Sequence, residues 1–225
     1  DPSSHLDQEA ADLMDRIHNR LFVEATVSGW FDSKLNGVKD KNEMIPHLAD
    51  KLDWLGVNYY TRYVVRGTSS ILARLFAGLN VMPNQVKGYG FACEAKSFSL
   101  DGRPTSEFRQ ELYPEGLGQS LIEASHFGRP MYITENGTAD SDDSYRPTYL
   151  LEHIKVAEQL LDEKKIDLRG YLHWSLTDNY EWAQGFGMKF GLASVDLKTK
   201  TRKARKSAGL FKRIAEQGTT QGITV

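Results

Sequence analysis

Three short apolar runs alternate with helical patterns along the chain, and this alternation most constrains the fold. The runs cover residues 54–60, 131–134 and 170–176, and they are rich in the aromatic and branched side chains of buried strands. Helical patterns that begin near Pro114 and Pro147 separate the runs. Strands joined by crossover helices run parallel to one another. The sequence therefore predicts an α/β protein built on a parallel sheet.

Polar side chains gather directly after each predicted strand. Asn58 and Tyr60 end the first run, Glu135 follows the second, and Trp174 begins a polar stretch that reaches Glu181. A parallel sheet or barrel places its active site at the carboxyl ends of its strands. We therefore expect these side chains to lie at one edge of the sheet.

The number of predicted strands is too small for a closed barrel. An eight-stranded α/β barrel typically needs about 250 residues and often more than about 400, whereas this chain has 225 residues and three candidate strands of this type. The chain is therefore short of a complete barrel by several strand–helix units. The side chains expected to point into the barrel interior, where they would face no opposing strands, are Val57, Tyr60, Ile133 and Trp174.

The remaining segments are assigned from local pattern. Residues 1–31 carry a helical pattern, residues 61–112 are irregular with strand-like pieces, and a closing helix is expected around residues 210–215. A long irregular stretch in a compact domain usually carries function. In the helix that begins near Pro147, Lys164 and Lys165 are expected in the last turn. Their positive charges would interact favourably with the helix dipole there.

Composition and charge exclude several classes of protein. The net charge is −2 and the isoelectric point about 6.3, which predicts no binding to nucleic acid or to an anionic membrane. The single cysteine cannot form an internal disulfide and fits a reducing compartment, so a cytoplasmic location is expected. The six histidines lack the spacing of metal ligands, so no metal site is predicted.

Each candidate site residue has two interpretations when it is taken alone. Glu135 at a strand end suits a nucleophile, but taken alone it more often caps the next turn or pairs with a lysine. Tyr60 could orient a carboxylate through its phenol, or belong to a strand of core aromatics. Trp174, Glu181 and Trp182 offer flat faces and a carboxylate to a sugar, or form an aromatic core loop.

Three sequence strings together indicate a family. WLGVNYYT, YITENG and GYLHWSLTDNYEWAQGF occur in this order, with GYGFACE and PEGL between the first two. This combination resembles glycoside hydrolase family 1, and in its details the β-glycosidases of thermophilic archaea. The likeness extends over nearly the whole chain.

The resemblance implies a fold and a set of roles. The fold would be the C-terminal part of a (β/α)₈ TIM barrel, with residues 1–225 forming part of a single barrel domain. Glu135 matches the family nucleophile, and Tyr60 matches the tyrosine that hydrogen-bonds it. The matching substrate-binding residues are Asn58, Trp174, Glu181, Trp182 and Phe190. No metal or organic cofactor is implied.

Two departures from the family pattern refine the expectation. Family members that act on 6-phosphoglycosides resemble Ser-x-Lys-x-Tyr where this chain reads Gly187-Met188-Lys189-Phe190, so unphosphorylated sugars are favoured. The family acid/base glutamate lies in an Asn-Glu-Pro motif, and this sequence contains no such motif. The resemblance therefore implies a partner, the N-terminal portion of the same enzyme, and leaves open a homo-oligomer.

Three hypotheses follow for function. The first is a retaining β-glycosidase that acts on terminal glucosyl or galactosyl residues when the N-terminal portion completes it, while the isolated chain is inactive. The second is a non-catalytic carbohydrate-binding protein that lacks the acid/base. The third is a truncated product that folds only by association and has no function of its own.

Overall fold

The computed structural model describes residues 1–69, 71, 75 and 78–225. The chain divides into two compact units. The first unit contains Asp1–Asp53 and Tyr63–Lys87, and the second contains Trp54–Arg62 and Gly88–Val225.

The described helices and strands are numbered here in chain order. The α-helices are α1 (His5–Asp15), α2 (Leu21–Ser28), α3 (Pro114–Ser125), α4 (Arg146–Asp162) and α5 (Lys206–Gln217). The strands are β1 (Leu55–Asn58), β2 (Val65–Ser69), β3 (Val81–Gln85), β4 (Met131–Asn136), β5 (Leu168–His173), β6 (Ala193–Val195) and β7 (Arg202–Ala204). A π-helical turn, Arg16–Arg20, joins α1 to α2, and short 3₁₀ turns occupy Lys41–Glu43, Pro46–Leu48 and Trp182–Gln184.

The second unit is built on a parallel sheet in the order β1-β4-β5. Helix α3 precedes β4 and helix α4 connects β4 to β5, as the alternation in the sequence predicts. In the part of the chain that the structure describes, the sheet remains open with three strands. The prediction of an incomplete α/β barrel is confirmed.

The main hydrophobic core lies between this sheet and its helices. Its buried members are Tyr59, Leu117, Leu121, Ile133, Ala157 and Leu160. Ile133 is completely buried and Val57 packs against the same cluster. The expectation that these two side chains point into the barrel interior is therefore wrong. Both faces of a barrel strand carry apolar residues, so an apolar run does not reveal which face meets the helices.

The opposite face of the sheet carries exposed apolar side chains. Trp54 is 50% exposed and Leu172 is 52% exposed. Trp54 packs edge-on against Tyr132 of β4, with ring centroids 5.4 Å apart. The side of the sheet away from α3 and α4 therefore lacks a covering layer in the described part of the chain.

Helix α4 ends earlier than its basic residues predict. Pro147 lies in the first turn, as expected, but the helix ends at Asp162. Lys164 follows with a φ of 52°, which is a left-handed conformation outside the helix. The expectation that Lys164 and Lys165 form the last helical turn is wrong, because a lysine pair marks a helix end only within a few residues.

The first unit contains a hairpin packed on a helix. Strands β2 and β3 pair antiparallel, and Ala10 and Leu13 of α1 form a small core with Val81. Parts of the stretch predicted to be irregular are thus regular, while residues 70, 72–74 and 76–77 of it lie outside the described residues. None of the described helices is long and apolar enough to cross a membrane.

Candidate active site

Glu135 and Tyr60 meet at the carboxyl ends of neighbouring strands. Glu135 is the penultimate residue of β4, and Tyr60 lies two residues beyond β1. The phenol of Tyr60 donates a hydrogen bond of 2.7 Å to Oε2 of Glu135. The backbone joins the same two strand ends, since the amide of Tyr59 donates to the carbonyl of Glu135 at 2.9 Å. The structure thus brings together the two residues that the family motif pairs.

Tyr60 is a hydrogen-bond donor that stays protonated. Burial, followed by the hydrogen bond to the Glu135 carboxylate, raises the pKa of Tyr60 well above its usual value. The negative charge of Glu181 adds to this rise in the pKa, so both carboxylates act on the same phenol. A neutral phenol can hold and orient a carboxylate at any physiological pH.

Phe190 forms one wall around Tyr60. Its ring packs edge-on against Tyr60 with centroids 6.1 Å apart, and against Phe108 at 6.0 Å. Phe190 is 2% exposed. Its position beside Tyr60 fits an aromatic that shapes the site, although in the described residues it is buried and does not line an open edge.

Asn58 lies at the end of β1, one strand away from Glu135. Its side-chain oxygen accepts a hydrogen bond of 2.7 Å from the hydroxyl of Thr134. Asn58 is exposed, and Thr134 precedes Glu135 in β4. Asn58 therefore lies beside β4 and contacts Thr134.

The loop after β5 brings the remaining predicted residues to the same edge. The amide of Trp174 donates to the carbonyl of Asn136 at 2.9 Å, which fixes the start of the loop beside β4. Within the loop, Oε2 of Glu181 is buried and has no hydrogen-bond partner among the described residues. Trp182 is 79% exposed. A buried carboxylate oxygen without a partner and an exposed indole are groups that can bind a sugar hydroxyl and a sugar face.

Several polar residues that support the site were not predicted from the sequence. Arg146 is fully buried and donates to the carbonyls of Asp140 and Lys189, at 2.5 and 2.6 Å, and pairs with Asp143. Arg205 forms a bidentate ion pair with Asp178 at 2.9 and 3.0 Å. These bonds tie the loop after β4, and the loop after β5, to the residues around them.

A signal for part of this support was present in the sequence. Arg146, Tyr149 and His153 are spaced by three and four residues in α4 and therefore share one helix face. All three are buried. The apolar pattern of α4 does not by itself indicate this polar face. The described residues contain no group of His, Cys, Asp and Glu side chains arranged to hold a metal ion.

Comparison with known proteins identifies relatives of the chain. The sequence model described as glycosyl hydrolase family 1 matches residues 1–220. A β-galactosidase of Pyrococcus woesei is 43% identical over 228 residues, which cover 99% of this chain and 43% of that protein. A β-galactosidase of Saccharolobus solfataricus is 40% identical over 220 residues, which cover 96% of this chain and 41% of that protein.

Solved structures give the same result for the fold. The β-glycosidase of the hyperthermophile Thermosphaera aggregans superposes with a TM-score of 0.80 at 39% identity, covering 96% of this chain and 41% of that chain. This chain thus spans less than half the length of each of these three relatives.

Proposed function

The chain belongs to glycosyl hydrolase family 1, and we propose that it supplies the nucleophile and part of the sugar-binding site of a retaining β-glycosidase. The observation that carries this proposal is the hydrogen bond of 2.7 Å from Tyr60 to Glu135 at the carboxyl end of a parallel sheet. The bond occupies Oε2 of Glu135 and leaves Oε1 to attack the anomeric carbon of the substrate. That attack forms a covalent glycosyl-enzyme, which water then hydrolyses.

The mechanism needs a second carboxyl group, which we assign to the rest of the barrel. Retaining glycosidases hold two carboxyl groups about 5 to 5.5 Å apart. The second group protonates the leaving oxygen and later activates water. The Asn-Glu-Pro motif that carries it in the family is missing from these 225 residues. The N-terminal portion of the barrel, whether on the same polypeptide or on another, is therefore the partner that completes the site.

The proposed substrate is a β-glycoside with a terminal glucosyl or galactosyl residue. Trp174 and Trp182 would pack against the sugar ring, while Glu181 and Asn58 would bind its hydroxyls. Gly187 and Gly191 stand where the 6-phosphoglycoside pattern has serine and tyrosine, which favours an unphosphorylated sugar. The archaeal relatives at 40–43% identity are β-galactosidases, which supports this substrate class.

The test of the proposal is a nearly isosteric change at Glu135 in the complete enzyme. Glu135→Gln removes the nucleophile but keeps the volume of the side chain, so the enzyme should fold normally and form no glycosyl-enzyme. We expect kcat to fall by about 10⁴-fold or more, as for the loss of other covalent nucleophiles. The measurement is turnover of aryl β-glucosides and aryl β-galactosides.

Glu181→Gln is the matched control, because it changes a carboxylate of the same site that does not attack the substrate. This variant should still form the glycosyl-enzyme, bind more weakly, and alter the preference between glucosides and galactosides. A Glu135→Gln enzyme that keeps normal turnover would refute the assignment of the nucleophile. An unchanged sugar preference in Glu181→Gln would refute the role of Glu181.

A further inference from the structure

A buried side chain directly follows the proposed nucleophile. Asn136 is completely buried, and every polar atom of its amide has a partner. Its oxygen accepts a hydrogen bond of 2.8 Å from the phenol of Tyr171. Its nitrogen donates to the carbonyl of Tyr59 at 2.8 Å and to the phenol oxygen of Tyr149 at 3.0 Å. Burying an amide is costly unless its bonds are satisfied, so this arrangement is held in one orientation.

The network continues from Asn136 to the backbone of Tyr60. Tyr149 is 1% exposed, and its hydroxyl donates to the carbonyl of Tyr60 at 2.9 Å. Each hydroxyl and amide hydrogen therefore donates one hydrogen bond. The bonds lead from Tyr171 to Asn136, from Asn136 to Tyr149, and from Tyr149 to the end of β1. The rings of Tyr149 and His153 stack with centroids 3.9 Å apart, which fixes the position of the phenol on α4.

Two of these hydrogen bonds are donated to consecutive backbone carbonyls at the end of β1. Asn136 holds the carbonyl of Tyr59 and Tyr149 holds that of Tyr60. The phenol of Tyr60 stands at the far end of a long side chain, so a small change of the backbone there displaces it relative to Glu135. Catalytic groups must be held within about 0.5 Å of their working geometry by such surrounding contacts.

We propose that Asn136 and Tyr149 are positioning residues that hold the end of β1 so that the phenol of Tyr60 reaches Glu135. The inference rests on the proposed function, because it concerns the same nucleophile. It adds that helix α4, on the opposite side of the sheet, controls the geometry of the site through the Tyr149 hydroxyl.

A double-mutant cycle in the complete enzyme tests this inference. Tyr149→Phe removes only the hydroxyl and should lower kcat by about 10-fold with KM nearly unchanged. If Tyr149 acts through the phenol of Tyr60, the same change in a Tyr60→Phe background should lower kcat by less than about 2-fold, because residues of one network are not additive.

Thr105→Val is the matched control. The hydroxyl of Thr105 also donates from a buried side chain to a backbone carbonyl, that of Glu94 at 2.6 Å, and it lies outside the Asn136 and Tyr149 network. Its removal should lower Tm about as much as Tyr149→Phe, yet leave kcat within about 2-fold of wild type. This comparison separates a positioning role from a general loss of stability.

The outcomes distinguish the inference from the function on which it rests. Equal effects of Tyr149→Phe in both backgrounds, or none on kcat, would overturn the inference and leave the proposed function intact. A Tyr60→Phe enzyme with normal kcat would instead overturn the role of Tyr60. If Tyr149→Phe does not fold, Tyr171→Phe replaces it in the double-mutant cycle. Equal effects of Tyr171→Phe on kcat in the wild-type and Tyr60→Phe backgrounds would then contradict the inference.

A crystal structure of Tyr149→Phe tests the geometry without activity. The inference predicts that the distance from the Tyr60 phenol to Glu135 increases from 2.7 Å to more than about 3.5 Å, beyond hydrogen-bond range. An unchanged distance would contradict it.

Discussion

His153 shows at the scale of one residue how burial links protonation to stability. It is completely buried, its Nδ1 donates to the carbonyl of Tyr149 at 2.7 Å, and burial lowers its pKa to about 4. The unfolded chain, with an ordinary pKa of 6.5, therefore binds more protons than the folded chain between these values. The neutral His153 therefore gives its full contribution to the free energy of unfolding above pH 6.5. As the pH falls from 6.5 towards 4, the free energy of unfolding decreases by about 3 kcal/mol.

We expect His153→Gln to weaken the dependence of Tm on pH between 7.5 and 4.5 in the complete enzyme. The measurement is thermal unfolding across this range. His126→Gln is the control, because His126 is exposed and its replacement should leave the wild-type slope. An undiminished slope in His153→Gln would show that this histidine does not contribute.

Single residues were partly predictable. The strand-end positions of Glu135 and Tyr60 place them together, and the structure shows the hydrogen bond between them. Asn136 and Tyr149 were not predicted, because their partners lie 13 to 89 positions apart in the sequence and no local pattern reports such bonds. The buried polar face of α4 is the only local signal of them.

At the scale of elements, the ends of β4 and β5 approach very closely at Gly137. A Cβ atom at this position would lie 1.7 Å from the carbonyl oxygen of Trp174. The constraint at Gly137 is thus contact with the neighbouring backbone. Glycine is required here because Trp174, the first residue of the loop after β5, packs directly on the chain that follows Glu135.

Gly137→Ala should therefore separate the two strand ends. We expect destabilisation of at least about 1–3 kcal/mol and loss of most activity, measured by unfolding and aryl glycoside turnover. Gly209→Ala is the control, since it lies inside α5 with no atom within 4 Å of the added Cβ. It should stabilise by about 0.5–1 kcal/mol. If the two variants had similar free energies of unfolding, the close contact at Gly137 would not be what requires glycine there.

The hydrophobic pattern predicts the helices and strands well. It predicts their ends, and which face of each is buried, less well. The three parallel strands and helices α3, α4 and α5 lie where the apolar runs and prolines predict them. The direction of Val57 and Ile133 was not predictable, because it depends on which layer covers each face of the sheet. The end of α4 was misplaced, because two lysines do not specify a helix terminus.

At the scale of the whole molecule, the described sheet has the character of part of a larger one. Strands β1 and β5 are its two edges, and edge strands present unpaired backbone groups. The face away from α3 and α4 carries the exposed Trp54 and Leu172. The N-terminal portion of a family 1 barrel would cover both features. The remaining alternatives are a sugar-binding protein without the acid, and a product with no function of its own.

The most direct test is to locate a covalent label in this chain. The chain is produced alone and together with the N-terminal portion of the barrel, treated with a mechanism-based 2-fluoro glycoside, and mapped by peptide mass spectrometry. The account predicts one glycosyl group on Glu135 when the barrel is complete, and none on the chain alone. A label on Glu181, or turnover by the isolated chain, would contradict it. No label in either sample would favour the non-catalytic alternatives.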